Sequence, residues 1–162
     1  MNLIAAVDKN WAIGRGGRLL VNIPEDIKLF RMETAGKAAI MGRKTFENIS
    51  EKTSLIEREN IVLTSDKTYK NDNVKVAHSV EEVLEYTKDY ESSDIYVIGG
   101  ASVFEQFLPY CNTAHITYID YKYDADSYMP DLDKLPEWSV TRTSDEHTYF
   151  DICYEFREYK KA

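Results

Sequence analysis

The strongest constraint on the fold is a change in hydrophobic pattern near residue 110. Before it, short apolar runs recur between segments with helical features, at residues 3–7, 38–41, 60–63, 74–77 and 95–98. After it, apolar and polar residues alternate over residues 116–121 and 150–157. Short apolar runs between helices indicate buried parallel strands, whereas alternation indicates antiparallel strands with one wetter face. The order predicts an α/β domain whose sheet is mostly parallel and has an antiparallel C-terminal edge.

Helix boundaries are marked by residues that favour helix ends. Pro24 suits the first position of a helix, and Gly36 suits its C-terminal stop. Three more helices are predicted over residues 43–49, 79–90 and 103–108. The second of these has an S-x-x-E capping box formed by Ser79 and Glu82. A loop is predicted at three closely spaced glycines, Gly14, Gly16 and Gly17.

Length and charge limit the function classes. A chain of 162 residues with 43% hydrophobic residues suits one domain with one core, spanning residues 1–162. The net charge of −8, from 28 acidic and 20 basic residues, argues against nucleic acid as a partner. An anionic ligand would therefore need cations placed locally, against the overall field.

The sequence offers no pattern for a disulfide, a metal site or a membrane span. The cysteines, Cys111 and Cys153, are far apart, so neither a zinc site nor a disulfide is expected. The three histidines form no metal-binding pattern, and no metal is expected. No run reaches the roughly 18 apolar residues of a membrane span. The N-terminus lacks a basic leader and meets Asp8 early, so we expect a cytoplasmic protein without a membrane partner.

Asp26 is the first candidate for chemistry. It stands in the first turn of the predicted helix and shares a face with Phe30 and Thr34, at i+4 and i+8. Acidic residues in a first turn are explained by the helix dipole alone, and this bland interpretation stays open. The functional alternative requires burial among apolar groups, which would raise the pKa of Asp26 and suit a ligand that donates hydrogen bonds.

Three strand-end turns are candidates for phosphate binding. Gly42-Arg43-Lys44-Thr45 follows one predicted strand and adds two cations, and Leu63-Thr64-Ser65 offers hydroxyl groups at the end of another. The third turn, Gly99-Gly100, allows close backbone approach to a diphosphate. It lacks the GxGxxG fingerprint, and ordinary surface or packing turns remain alternatives for all three.

The order of these motifs resembles the dihydrofolate reductase family over essentially the whole chain. The residues that carry the resemblance are Ala5-Ala6-Val7-Asp8, Ile13-Gly14, Ile23-Pro24-Glu25-Asp26, Phe30, Thr34, Met41-Gly42-Arg43-Lys44-Thr45, Val97-Ile98-Gly99-Gly100, Thr117 and Asp126. The resemblance implies a central eight-stranded sheet with about four flanking helices. It also implies an oxidoreductase that reduces 7,8-dihydrofolate to tetrahydrofolate with NADPH, in support of one-carbon metabolism.

On the substrate side, the resemblance makes Asp26 the catalytic carboxylate that holds the pterin ring. Thr117 matches the threonine that hydrogen-bonds this carboxylate, and Arg58 matches the arginine that pairs with the glutamate tail of the substrate. The apolar wall of the substrate site is implied to consist of Ala5, Ile27, Phe30, Ile49 and Leu55. Dihydrofolate is the implied small-molecule partner, and antifolate inhibitors are expected to bind at the same site.

On the cofactor side, the resemblance assigns three groups of contacts. The nicotinamide contacts are Ala6, Ile13 and Gly14, and the segment from Gly14 to Leu20 matches a mobile lid. The phosphate contacts are Gly42, Arg43, Lys44, Thr45, Thr64 and Ser65, the last two for the 2′-phosphate that distinguishes NADPH from NADH. The diphosphate turn comprises Ile98, Gly99, Gly100, Ala101, Ser102, Val103 and Phe104. In this family the two glycines are joined by a cis peptide bond.

The sequence also departs from the family pattern. Val21 stands where many relatives have tryptophan, and Ser102 replaces a basic residue, which places more of the 2′-phosphate selectivity on Arg43 and Thr64. Two alternatives share the fold: a pyrimidine reductase of riboflavin biosynthesis, and a non-catalytic pterin- or NADPH-binding protein. The first would lack the Pro-x-Asp helix start, and the second would bind NADPH without turnover. A monomer is expected.

Overall fold

The computed structural model describes residues 1–49 and 58–162, with only the backbone of Ile49 described. Its first half alternates strands and helices. The strands are β1 (Asn2–Val7), β2 (Ala12–Arg15), β3 (Arg18–Leu19), β4 (Ala38–Gly42), β5 (Glu59–Leu63), β6 (Lys75–Ala77) and β7 (Ile95–Gly99). The helices are α1 (Pro24–Thr34), α2 (Arg43–Ile49), α3 (Val80–Thr87) and α4 (Ala101–Phe107). The second half contains only strands and short 3₁₀ turns: β8 (Thr113–Ile119), β9 (Ser127–Tyr128), β10 (Trp138–Thr143), β11 (His147–Tyr149) and β12 (Ile152–Lys161).

The main sheet has the order β10-β12-β8-β1-β7-β4-β5-β6, and β11 also pairs with β12. Neighbours from β8 to β6 are parallel, whereas β12 is antiparallel to β8, β10 and β11. Because Tyr154 of β12 pairs with Ile119 on one side and His147 on the other, β11 continues the edge occupied by β10. The expected α/β fold, with its eight-stranded path, antiparallel C-terminal edge and four helices, is confirmed.

The core lies on the central parallel strands. Side chains such as Leu3, Ile40, Ile61 and Val97 have no exposed surface, which explains why these strands read as continuous apolar runs. Both cysteines are free thiols. In the ranges 1–49 and 58–162, no helix is long and apolar enough to cross a membrane.

Helix α1 lies where Pro24 and Gly36 predicted it. Gly36 has a φ of 75°, in the left-handed region that glycine adopts most easily. In α3, the Ser79 side chain accepts a hydrogen bond from the Glu82 backbone N–H, as the capping box predicted. In a capping box the Glu82 carboxylate would accept a bond from the N–H of Ser79. Here it accepts from the N–H of His78, one residue earlier. The helix also ends at Thr87 and not at Tyr90, after the Thr87 hydroxyl bonds back to the Val83 carbonyl.

Several sequence-based boundaries were wrong. The glycine loop is a hairpin of β2 and β3, and β2 also pairs with β9 in a separate three-stranded sheet. Phe150 is not in a strand but in the turn between β11 and β12, with a φ of 55° and most of its surface exposed. The alternation over 116–121 does not make β8 antiparallel on both sides, since it runs parallel to β1. Its burial on both faces follows from this central position.

Candidate active site

A cleft of about 930 Å³ opens beside α1 at the carboxyl edge of the sheet. Ligands bind at this edge in open α/β sheets. Predicted site residues that line the cleft are Ala5, Ala6, Asp26, Ile27, Phe30, Thr45, Ile98 and Thr117. Leu19, from the segment matched to the lid, also lines the cleft. Sequence reasoning missed other lining residues, including Asn22, Leu29, Glu33, Asn48, His115 and Phe156. His115 had a usable sequence signal, because it lies two residues before Thr117 and therefore on the same face of the strand. Phe156 had none, because only the structure shows that it pairs with Thr117.

Asp26 is one of the ionisable residues that line the cleft. It is half-buried in the first turn of α1, and the Thr117 hydroxyl of β8 donates a hydrogen bond of 2.5 Å to its Oδ1. Burial raises the pKa of Asp26 above its usual value; the bond from Thr117 opposes this rise, and the neighbouring charge of Glu25 adds to it. A carboxylate with an elevated pKa in a cleft is suited to binding a group that donates hydrogen bonds or carries a proton.

Glu25 is fixed beside Asp26 by side chains from the C-terminal strands. The hydroxyl of Tyr154, which is almost fully buried, donates a bond of 2.7 Å to Glu25 Oε2. His147 Nδ1 lies 3.6 Å from Glu25 Oε1, and the His147 ring stacks on Tyr154. The start of α1 is therefore held to β8 through Asp26 and to β12 through Glu25. The sequence indicated only that Glu25, in the first turn of the helix, interacts favourably with the helix dipole.

Arg58 lies behind the apolar wall of the cleft. Its side chain is 8% exposed, and it donates bonds of 3.1 Å to the Thr34 hydroxyl and to the Asn60 side-chain oxygen. Its guanidinium also lies 5.1 Å from the ring centroid of Phe30. It does not line the cleft directly. The predicted contacts of Leu55 and of the Ile49 side chain lie outside the described residues.

Two turns meet at the carboxyl edge next to Thr45. The Gly99–Gly100 peptide bond is cis, as the resemblance implied. A Cβ on Gly100 would lie 3.5 Å from the Thr45 hydroxyl, and one on Gly42 would lie 3.5 Å from a Val103 methyl. Only glycine leaves this space open, since a side chain on either residue would fill the surface between the turns.

The residues after Gly100 contribute unequally to this surface. Val103 and Phe104 are buried in the core, and Phe104 packs against Gly99, where a Cβ would approach its ring to 3.1 Å. Ala101 is half-buried, whereas Ser102 is exposed and its hydroxyl accepts a bond from Gln106. The side chains of Val103 and Phe104 therefore shape the turn from the core.

Of the three predicted nicotinamide contacts, Ala6 lies on β1, whereas Ile13 and Gly14 lie at the start of the β2–β3 hairpin. Ile13 is half-buried against the core. A Cβ on Gly14 would lie 2.7 Å from the Arg18 carbonyl oxygen, so only glycine allows the two strands to approach this closely. The N–H of Gly16 donates a bond to the Asp126 carboxylate, which joins the hairpin to the segment before β9.

The remaining phosphate candidates gather at the ends of β4 and β5. Arg43 and Lys44 are exposed at the start of α2, while Thr64 is half-buried and Ser65 exposed. A guanidinium, an ammonium and hydroxyl groups suit a phosphate monoester, and the glycine surface suits a diphosphate. The residues present thus fit the phosphate groups of a dinucleotide.

The fold and cleft define an α/β protein with a half-buried carboxyl group in the cleft and a glycine-rich edge with two cations beside it. A family model described as dihydrofolate reductase matches residues 1–161. The chain belongs to this family, as the sequence analysis expected.

Named relatives agree with this membership. The chain is 41% identical over 129 residues to a dihydrofolate reductase of Enterococcus faecium, covering 79% of this chain and 76% of the relative. It is 34% identical to the enzyme of Haemophilus influenzae, covering 99% and 88% of the two chains. A solved dihydrofolate reductase of Enterococcus faecalis, complexed with NADP(H) and RAB-propyl, superposes with a TM-score of 0.86 at 30% identity, covering 99% and 95%.

Proposed function

We propose that the protein catalyses the NADPH-dependent reduction of 7,8-dihydrofolate to 5,6,7,8-tetrahydrofolate. Family membership over residues 1–161 supports this reaction over the alternative of a pyrimidine reductase. The single observation that carries it is Asp26, a half-buried carboxyl with a raised pKa, placed in the cleft and bonded to Thr117. In the same proposal the protein works as a cytoplasmic monomer without nucleic-acid partners.

Asp26 anchors the substrate in this proposal. The amino group and ring N–H of a pterin form two adjacent donors, which match a carboxylate. The 2.5 Å bond from Thr117 to Oδ1 fixes the carboxylate plane, so substrate binding need not lose entropy by ordering this side chain. Ala5, Ile27 and Phe30 supply the apolar surface for the pterin and the adjacent aromatic ring.

Asp26 also favours protonation of the substrate. Reduction adds a proton to N5 and a hydride to C6, and a protonated imine accepts hydride far better than a neutral one. The negative charge of the half-buried Asp26 stabilises the positive charge that develops on the pterin. Asp26 is therefore an anchor that assists protonation, with the proton for N5 taken from solvent.

Arg58 is proposed to receive the anionic tail of the substrate. Its bonds to Thr34 and Asn60 hold the guanidinium in place behind Phe30. A bidentate arginine suits a carboxylate better than lysine does. Leu55 and Ile49 are proposed to belong to the apolar wall of the substrate site, together with Ala5, Ile27 and Phe30.

NADPH, when bound, supplies the hydride. The residues proposed to hold it are Ala6, Ile13 and Gly14 at the nicotinamide, and the glycines Gly42, Gly99 and Gly100 with Thr45 along the diphosphate. Ile98, Ala101 and Ser102 complete this surface, with Val103 and Phe104 behind it. Arg43, Lys44, Thr64 and Ser65 are proposed to bind the 2′-phosphate.

The proposal is tested by following NADPH absorbance with the purified protein. Consumption of NADPH should require added dihydrofolate, and tetrahydrofolate should appear in equal amount. A pyrimidine reductase would instead consume NADPH with a ribosylamino-pyrimidine. Binding of NADPH without consumption, across a range of pH values and with dihydrofolate present, would favour the non-catalytic alternative.

A further inference from the structure

Arg43, the arginine proposed for the 2′-phosphate, is bound by two carboxylates. Its Nε donates a bond of 2.9 Å to Glu47 Oε1, and its Nη1 donates one of 3.1 Å to Asp66 Oδ2. The guanidinium also lies over the Tyr69 ring, 4.5 Å from its centroid. A phosphate that approaches Arg43 therefore meets a cation whose charge is already partly balanced.

Asp66 is held firmly in this position. Its Oδ1 accepts bonds of 2.9 Å from the backbone N–H of Thr68 and 2.6 Å from the Thr68 hydroxyl. Its own N–H donates to the hydroxyl oxygen of Thr64. The bonds from Thr68 and the charge of Arg43 lower the pKa of Asp66, so it is ionised at neutral pH. Its negative charge cannot turn away from Arg43 without breaking this turn.

The orientation of Arg43 does not depend on Asp66. Glu47, one helical turn along α2, already binds Nε, and Tyr69 supports the flat face of the guanidinium. Asp66 instead takes up Nη1, a donor that a phosphate would use. It also adjoins Ser65 and follows Thr64 by two residues, so its charge lies among the proposed phosphate ligands.

We infer that Asp66 is a specificity-determining residue, which competes with the 2′-phosphate of the cofactor for Arg43 and so narrows the preference for NADPH over NADH. This inference rests on the proposed function, because it takes Arg43 as the 2′-phosphate ligand. Under this inference, the Asp66 carboxylate lowers the affinity of Arg43 for the 2′-phosphate by balancing part of its charge.

The test measures nucleotide binding to the protein without substrate, by titration calorimetry. The probes are adenosine 2′,5′-bisphosphate, which carries the 2′-phosphate, and adenosine 5′-monophosphate, which lacks it. Replacing Asp66 with Asn keeps the shape and an acceptor for Thr68 but removes the charge. For charges exposed as these are, we expect Asp66→Asn to bind the bisphosphate about threefold to tenfold more tightly, an effect that shrinks in high salt. Affinity for the monophosphate should not change.

Two control variants make the result specific. Asp72→Asn removes an exposed negative charge from the same loop and should change neither affinity. The double variant Arg43→Ala, Asp66→Asn should bind the bisphosphate no more tightly than Arg43→Ala alone, because the competition requires the arginine. A gain that persists without Arg43 would contradict competition for that residue.

The failure of this inference and that of the proposed function are distinguishable. Unchanged bisphosphate binding by Asp66→Asn would overturn the inference, and weaker binding would overturn it and mean that Asp66 orients Arg43. Equal affinity of the wild-type protein for the two probes would instead count against the cofactor site itself. The catalytic assay with dihydrofolate is independent of both readouts.

Discussion

The proposed ligand site has two ends, the cleft around Asp26 and the edge at the ends of β4 and β5, and the two ends hold their charges in different environments. At one end, Asp26 is half-buried and its pKa is raised chiefly by loss of water. At the other, Arg43 and Asp66 keep 42% and 44% of their side-chain surface exposed. A charge in the first environment interacts strongly with whatever lies beside it, whereas charges in the second are screened by water and salt. Chemistry is expected to depend on the buried end, and cofactor preference on many small contributions at the exposed end.

The largest effect should come from removing the buried charge. Asp26→Asn keeps the shape of the side chain but loses the anion that favours substrate protonation. At pH 7 we expect turnover to fall by about 10²- to 10⁴-fold, the range usual for a positioned acid–base group. The measurement is the steady-state rate of NADPH oxidation. Asp120→Asn, an exposed aspartate that pairs with Lys9 beyond the end of β8, should retain wild-type turnover.

A smaller effect is expected at the exposed end. Arg43→Ala removes one charge-assisted contact, so the Michaelis constant for NADPH should rise about tenfold. Turnover at saturating NADPH should change little, and the constant for NADH should stay near its wild-type value. Equal weakening of both cofactors would remove Arg43 from 2′-phosphate recognition and break the contrast between the two ends.

The proton affinity of Asp26 should respond to Glu25. Glu25→Gln removes a like charge that Tyr154 and His147 hold next to Asp26. The pKa of Asp26 should therefore fall towards its ordinary value, though burial keeps it raised. Carboxyl-carbon NMR titration measures this directly, and Glu91→Gln, at an exposed site, serves as the control. An unchanged titration of Asp26 would show that the Glu25 charge does not reach it.

The smallest effect concerns stability. Because folding raises the pKa of Asp26 above 3.8, the native state binds a proton more strongly than the unfolded state. The free energy of unfolding therefore decreases as pH rises from that value through the native pKa. Asp26→Asn removes this cost, so thermal denaturation should show a melting temperature a few degrees higher at pH 7. The gain should vanish below about pH 3.8. A less stable variant at pH 7 would contradict the destabilising burial of Asp26.

Sequence predicted the parts of the fold that local chemistry determines. Pro24 and Gly36 mark the ends of α1, and the apolar runs predicted five of the six parallel strands, all except β8. Strand β10 was missed because its alternation is short: Trp138 and Val140 alternate with Ser139 and Thr141, but no apolar residue follows, and five of the six residues are exposed. Phe150 was misplaced for the opposite reason: the alternation continues through a turn that only its positive φ reveals.

The site was predictable only in part. The residues alone left Asp26 as a helix-dipole acid, and the resemblance supplied its partner Thr117, 91 residues away. Neither route gave the contact of Asp66 with Arg43, since Asp66 reaches it from a different strand end, 23 residues along the chain; the Glu47 contact, by contrast, is a local i,i+4 pair in a predicted helix. Nor did either route give the contact of Tyr154 with Glu25. Such pairs depend on the register of distant strands, which local pattern does not encode.

The central claim is that the Asp26 charge assists protonation of the substrate. The most direct measurement is the pH dependence of hydride transfer in a single turnover, for the wild-type protein and Asp26→Asn. We predict that the ratio of the two rates is largest at neutral pH and decreases steadily as pH falls, because substrate protonated from solvent no longer needs the carboxylate. A ratio that stays constant with pH, or a variant as fast as wild type at pH 7, would contradict the role assigned to Asp26.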